Sequence, residues 1–512
     1  MERKWWTLTV VCVATFMLLL DITIVNVALP NISSSLHASF SDIQWVIDAY
    51  ALTLAALLLT TGVLADLFGR RLLFAIGLGL FAFTSLLCAV SPSPLFLILA
   101  RGAQGVGGAI MFATSLALLA QEFHGRERGT AFGVWGATIG ASAAVGPLLG
   151  GVLTQAFGWP SIFLINVPIG IAAAALTMTK IAESRNPEGT RVDWIGTITF
   201  TVALFLLVFA ITRGNSDGWG SAKIILLLAG SAVLLVVFTI AQLKLPYAMF
   251  DLSLFRKPTF VGAAIVAFAL SASLFAMFLY LTLYLQTILG LSPLQTGLRF
   301  LPVTVVSFFV SAVAGNLTER VPVRILMGGG LVLVGVGLLL MRALSVTSNW
   351  TALLPGFVAA GAGMGLVNPA IASTAIGVVP PQRSGMASGI SSTFRQIGTA
   401  TGIAVLGSIF ESALSSKLAP ELARSAVAGH ASQIARAVAA GGSQSVLAHA
   451  PLAHRAQAAV AIHGAFASAL DEILLVGAVV ALIGAVLGLV LVRGSDFATY
   501  QTRDPAAAAA SA

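Results

Sequence analysis

The chain is built almost wholly of long apolar runs, and that repetition constrains its fold more than any single motif. A helix needs about 20 predominantly apolar residues to cross a bilayer. Fourteen such runs, separated by Gly, Pro and charge clusters, lie at 7–29, 43–64, 72–90, 95–120, 130–154, 162–181, 194–212, 222–243, 259–288, 295–314, 324–341, 351–377, 386–410 and 468–492. Only 9% of the residues are charged and 58% are hydrophobic, against roughly 25% charged in a soluble protein. So few charges can neither cover a water-exposed surface nor sustain disorder. A soluble enzyme is excluded, and an all-α integral membrane protein remains.

The net charge of +8 belongs to short loops between runs, which is the positive-inside pattern and implies no nucleic acid. With the N-terminus inside, 17 of the 27 Lys and Arg fall in cytoplasmic segments and 7 in outer ones. The other three, Arg101, Arg299 and Arg395, lie within the runs. Both termini are then cytoplasmic. The first run is too long for a signal-peptide core and reads as an uncleaved span. Cys12 and Cys88 offer neither a disulfide framework nor metal-ligand spacing. Segment 411–467 reads as a long external loop that holds His430, His449, His454 and His463, again without metal spacing, and no histidine falls in a span. The segment 493–512 reads as a disordered cytoplasmic tail.

The two ends of the chain echo each other. Gly62-Val63-Leu64-Ala65-Asp66, followed by Arg71, matches Gly315-Asn316-Leu317-Thr318-Glu319, followed by Arg324, at an offset of 253. Gly105-Val106-Gly107 matches Gly361-Ala362-Gly363, and Gly129 to Gly133 matches Gly385 to Gly389, both at an offset of 256. Three matches in order at nearly constant offset divide the chain. Residues 1–181 form an N-terminal six-helix half, 182–258 an inserted pair of helices, and 259–492 a C-terminal six-helix half. Parallel halves of this kind are a transporter architecture, with substrate bound near the midplane between them.

Charge inside the membrane is costly and so points to function. Asp21 lies deep in the first run, Asp48 early in the second and Arg101 in the fourth. A carboxylate whose cation partner or water access changes between two conformations will bind and release a proton. A static ion pair is the structural alternative. Beyond Asp471 and Glu472 at the edge of the last run, the C-terminal half has no core carboxylate, which places coupling in the N-terminal half. Arg395 is a buried cation opposite, serving either an acid or a helix end. Asp66 with Arg70 and Arg71 sits in a tight turn, where it is either a latch between helix ends or a topology signal. In the fifth run, Gly136/Gly140 and Gly146/Gly150 flatten one helix face for close approach, and Pro147 kinks it; this suits a seam between moving halves. Phe275 to Phe278, Tyr280 and Tyr284 form an apolar wall suited to bulky lipophilic or cationic aromatic solutes, most of it facing lipid. No lysine follows a glycine, so there is no phosphate-binding loop for ATP, and no hydrolase motif stands in a plausible setting.

At this point the motifs resemble a known family. Leu20-Asp21-x-Thr23-x-Val25-Asn26-Val27-Ala28-Leu29-Pro30 resembles the first-span motif of the fourteen-span drug:proton antiporters of the major facilitator superfamily. Gly62-x-Leu64-Ala65-Asp66-x-x-Gly69-Arg70-Arg71 resembles that superfamily's motif A, and Arg101-x-x-Gln104-Gly105-x-Gly107 its motif B. Gly140 to Gly151, including Gly146, Pro147, Gly150 and Gly151, resembles the antiporter motif C. Phe163 to Gly170 and Asp193-x-x-Gly196 are also similar to that group. The resemblance implies a major facilitator fold of 14 helices (6+2+6) with two pseudo-symmetric halves. Asp21, Asp48 and Arg101 would carry proton coupling; Gly62, Asp66, Gly69, Arg70 and Arg71 would gate. Asn26, Gln104, Arg395 and Gln396 would line a cavity. The carboxylates that some relatives use for divalent cations are replaced by Ser391, Ser392 and Gln396.

The implied activity is proton-driven export of lipophilic or cationic drugs across the bacterial cytoplasmic membrane, by a monomer, without cofactor or metal. Its partners are a drug-like small molecule, protons and the bilayer. Export of one endogenous metabolite, such as an antibiotic or siderophore, is the alternative within that class. A non-transporting receptor or scaffold is the alternative outside it.

Overall fold

A computed structural model describes residues 2–38, 40–185, 192–245, 248, 250–318, 320–342, 344, 348–422, 438 and 455–497. Among these residues there are helices and no strands. Each expected run is helical: α1 (Arg3–Leu36), α2 (Phe40–Phe68), α3 (Arg70–Ala89), α4 (Pro94–Glu122), α5 (Gly125–Phe157), α6 (Ser161–Lys180), α7 (Trp194–Asp217), α8 (Ala222–Lys244), α9 (Pro258–Ile288), α10 (Pro293–Leu317), α11 (Val323–Leu340), α12 (Leu354–Gly377), α13 (Ser384–Leu422) and α14 (Arg455–Leu491). Thirteen of them are long and apolar enough, over described residues, to cross a membrane; in α5 the described apolar stretch is the shorter Leu148–Phe157.

Local chemistry sets the helix starts. Pro94 and Pro293 each stand in a first turn, where a missing N–H costs nothing. The Ser93 hydroxyl accepts from Phe96 N, and Ser292 forms a reciprocal capping box with Gln295. Asp193 caps α7 by accepting from Gly196 N (2.7 Å).

The larger apolar cores divide with the halves, while a smaller one joins Leu59 of α2 and Phe238 of α8 to Val378 and Met386. One of the larger is made solely of residues between Ala263 and Val492. Two others are drawn from Leu8 to Ile181, joined by Ala372 and Ile376 of α12 and by the half-buried Phe275 of α9. The sequence repeat returns as contacts. A Cβ at Gly133 would stand 2.7 Å from the Ser311 carbonyl oxygen, and one at Gly389 2.8 Å from that of Leu58. Gly62 abuts Gly385, and Gly315 abuts Gly129. Gly105 presses on the Tyr50 carbonyl as Gly361 does on that of Val303. Each contact maps onto its counterpart through the 253 and 256 offsets, so α2–α13 and α10–α5 are equivalent seams.

The inserted pair, α7 and α8, breaks this symmetry. The Thr60 and Thr201 hydroxyls meet at 2.9 Å, and Arg213 donates to Gln44 Oε1 (3.3 Å), which ties α7 to α2. Asn215 donates to the Ala404 carbonyl of α13 (2.8 Å). One flank of the interface between the halves is therefore bolted, and α8 lies outside with Leu226 and Leu243 exposed.

Three expectations are corrected. The stretch 411–467 is not all loop. α13 runs on to Leu422 and α14 starts at Arg455, because Leu414, Leu418, Ile462 and Phe466 are buried in the C-terminal core. His463 thus falls within a candidate span. His430, His449, His454 and the tail beyond 497 lie outside the described residues, as does Glu319 of the repeat. The wall on α9 does not mainly face lipid. Met277, Tyr280 and Tyr284 are buried, since two π-helical turns, at Ser271–Phe275 and Tyr284–Ile288, rotate that helix's apolar residues inward.

Candidate functional site

Five helices converge on Asp21. It is 1% exposed and ion-pairs with Arg101, itself 1% exposed. Gln104 Nε2 donates to Asp21 Oδ1 (3.0 Å) and to Ser85 Oγ (2.8 Å). Asn166 Nδ2 donates to the same Asp21 oxygen (3.2 Å). Arg101 also donates to Gln104 Oε1 (2.7 Å) and the Val46 carbonyl (3.1 Å), and its guanidinium lies 4.2 Å over the Tyr50 ring. Residues three apart share a helix face, so Arg101 and Gln104 act together.

The glycines beside them make this convergence possible. Gly105 admits α2, and a Cβ at Gly107 would stand 3.0 Å from the Gly77 carbonyl of α3. Asn166 owes its position to Pro168, which lacks the N–H that would bond Leu164; the helix breaks at Ile165. An apolar groove of about 340 Å³ between α1, α5 and α6 has Asn166, one hydrogen bond from Asp21, in its lining.

Asp48 does not join this knot. It is half-buried, and the charge acting on it is that of Arg213 on α7. Val46, Tyr50 and Thr53 point at α4, where Thr53 donates to the Gly102 carbonyl (2.8 Å). At 100° per residue, Asp48 stands about 200° from both Val46 and Tyr50, on the opposite face.

A second polar cluster closes the far end of α2. Asp66 accepts from Arg70 Nε (2.9 Å) and the terminal Arg70 nitrogen (2.8 Å). It also accepts from the backbone N–H of Gly385 (3.0 Å) and Met386 (2.9 Å), at the start of α13. A carboxylate there satisfies orphan donors and meets the positive end of the helix dipole. Asp66 thereby ties the two halves together. Val46 and Asp66 are 20 residues apart on α2, so knot and latch are separated by about 30 Å.

Arg71 serves differently. Glu183, ahead of α7, accepts from the backbone N–H of Arg71 (3.0 Å) and Leu72 (3.1 Å) and faces the Arg71 guanidinium at 3.7 Å. Gly69 has φ +117°, and a Cβ there would press on the Glu183 carboxylate.

The antiporter-like stretch of α5 splits by face. Gly140 faces Met364 and Ser307 of the other half, while Gly146 packs on Thr23 of α1, in its own half. Gly150 is buried, and Gly151 has nothing within 4 Å. The seam between halves thus uses Gly129, Gly133, Gly136 and Gly140, and not Gly146. The side chains of Asn26 and Pro147 lie outside the described residues.

On α13, Arg395 is 9% exposed and donates to Asn368 Oδ1 of α12. Gln396 is half-buried beside it. Neither reaches the Asp21 knot.

Sequence reading missed Asn166, Ser85, Tyr50, Glu183 and Asn368 as site residues. Asn166 and Asn368 carried a usable signal, since each is an amide within an apolar run followed within two residues by proline.

Comparison with known proteins shows the family. The Major Facilitator Superfamily profile matches residues 11–403. Multidrug resistance protein Stp of Mycobacterium tuberculosis is 38% identical over 82% of this chain and 78% of its own length. The probable actinorhodin transporter of Streptomyces coelicolor is 36% identical over 81% and 74%, and the methylenomycin A resistance protein of the same organism 32% over 79% and 85%. Among solved structures, the human organic anion transporter MFSD10 (TETRAN) aligns with a TM-score of 0.63 at 14% identity, covering 95% of this chain and all of that one. The chain is a membrane transporter belonging to the Major Facilitator Superfamily.

Proposed function

We propose that the chain is a proton-coupled exporter of lipophilic drugs or antibiotics in a bacterial cytoplasmic membrane. It would act as a monomer of fourteen spans arranged 6+2+6, with both termini cytoplasmic, and use no cofactor. The observation that carries the coupling is the Asp21–Arg101 pair, desolvated inside one half and braced by Gln104 and Asn166. Breaking a buried ion pair leaves an uncompensated charge, at roughly 3–5 kcal/mol. Protonating Asp21 imposes that cost on Arg101, so proton uptake favours a different packing of α1, α2 and α4. The state described is shut at the Asp66 end, which the positive-inside pattern makes cytoplasmic. Proton release would restore this state, and Asp66 would close behind the departing drug. The groove that Asn166 lines offers a lipophilic solute a route from the bilayer toward the pair.

The relatives named for multidrug, methylenomycin A and actinorhodin resistance or transport support export. The actinorhodin relative favours a second reading, in which the chain exports a single metabolite of its host. Purified protein in dye-loaded liposomes decides the matter: an imposed proton gradient drives dye across, and an uncoupler stops it. Absence of gradient-driven movement would refute the coupling.

A further inference from the structure

Arg395 has a different setting from Arg101. Among the described residues no carboxylate ion-pairs with it; its one side-chain partner is the neutral Asn368. A guanidinium carries only donors, so the Asn368 oxygen faces it, and the amide nitrogen on the same carboxamide carbon is left for another acceptor. That nitrogen, on a side chain 0% exposed, has no partner, and neither has the buried Ser388 hydroxyl two turns below Arg395 on α13. Arg395 therefore brings a full positive charge, and Asn368 an N–H without an acceptor, to adjoining positions. Arg395 lies eleven residues into α13, about 16 Å from its start, too deep for a lipid headgroup. Asn368 packs at the junction of the halves, with its Cβ 3.4 Å from where a Gly136 Cβ would be. Buried donors without acceptors are costly, and a buried unpaired charge more so. Asp21 cannot compensate, because Arg101 already holds it.

We infer that Arg395 and Asn368 form an oxyanion-binding site, and that the exported compounds include lipophilic acids bearing a carboxylate or phenolate. This deepens the efflux reading, on which it rests, and reverses the preference for cationic solutes that the sequence implies. The anion would accept from the guanidinium and the free amide N–H together, while its apolar body lies along the junction.

Two dyes with one ring system and opposite charge provide the test: fluorescein, an anion, and rhodamine 6G, a cation. Binding is read by fluorescence anisotropy on purified full-length chain in nanodiscs. Wild type binds fluorescein. Arg395→Gln weakens it ~10-fold or more and Asn368→Ala several-fold, whereas Arg395→Lys, which keeps the charge, retains most of it. Rhodamine binding is unchanged or tighter in Arg395→Gln. No fluorescein binding to wild type, equal binding to Arg395→Gln, or parallel loss of both dyes would each overturn the site. Arg395-dependent binding without transport in liposomes would leave the site standing and sink the efflux reading instead.

Discussion

Asp21 and Asp48 look alike in the sequence, as acids within apolar runs, yet only one becomes part of a network. The difference is helical phase. Val46 and Tyr50 share the face of α2 that meets Arg101, and Asp48 lies across the helix from them. Asp21→Asn should keep the shape of the knot while removing its charge. Gradient-driven efflux is expected to vanish with the protein still in the membrane, and full activity would contradict the coupling role. Asp48→Asn should cost less than tenfold in the same assay. Asp21 and Arg101 were legible because charge in an apolar run has few explanations. Asn166 was not, because an uncharged amide costs less to bury. Its role exists only once Pro168 breaks α6 and brings α6 against α1.

Between helices, the glycines decide which faces touch. The repeat was readable because backbone contact leaves no room for a side chain, and equivalent seams need glycine at equivalent places. The reach of α13 and α14 past the expected runs was not readable, since Leu414 and Phe466 are sparse apolar marks in an Ala- and Ser-rich stretch. Gly133→Leu should jam the α5–α10 seam against the Ser311 backbone and abolish turnover while leaving dye binding measurable. Asp66→Ala removes the cap on α13 and the carboxylate that Arg70 donates to. It should shift the closed end toward opening by about 3 kcal/mol, read as faster labelling of a cysteine placed in that seam. Outside the spans, the Thr259 hydroxyl and backbone N–H hold the Asp496 carboxyl below its ordinary range. A depressed carboxylate stabilises above the unfolded pKa of about 3.9 and loses that contribution as pH falls through the folded value. The melting temperature of Asp496→Asn should therefore be lower than wild type at pH 7, and the gap should close in acid.

The whole molecule is two equivalent bundles with an unequal attachment. The two-fold plan could be inferred from periodicity and offset, since the glycine contacts pair through the same offsets. The place of the inserted pair could not, because nothing in α7 or α8 names the helices they meet. If the bundles rock, α7 cannot remain bonded to both. Among the described residues two side-chain hydrogen bonds, with the Trp45–Phe209 ring contact, hold it to α2 and one hydrogen bond to α13, so the pair should travel as a passenger of the first bundle and slide on the second. A disulfide joining positions 60 and 201 would then be tolerated by a working pump, whereas one joining 215 and 404 would freeze it. Each turnover would also drag a fin of two helices sideways through the surrounding lipid. The pump's speed should accordingly depend on membrane viscosity, and a version shorn of that fin would lose this drag.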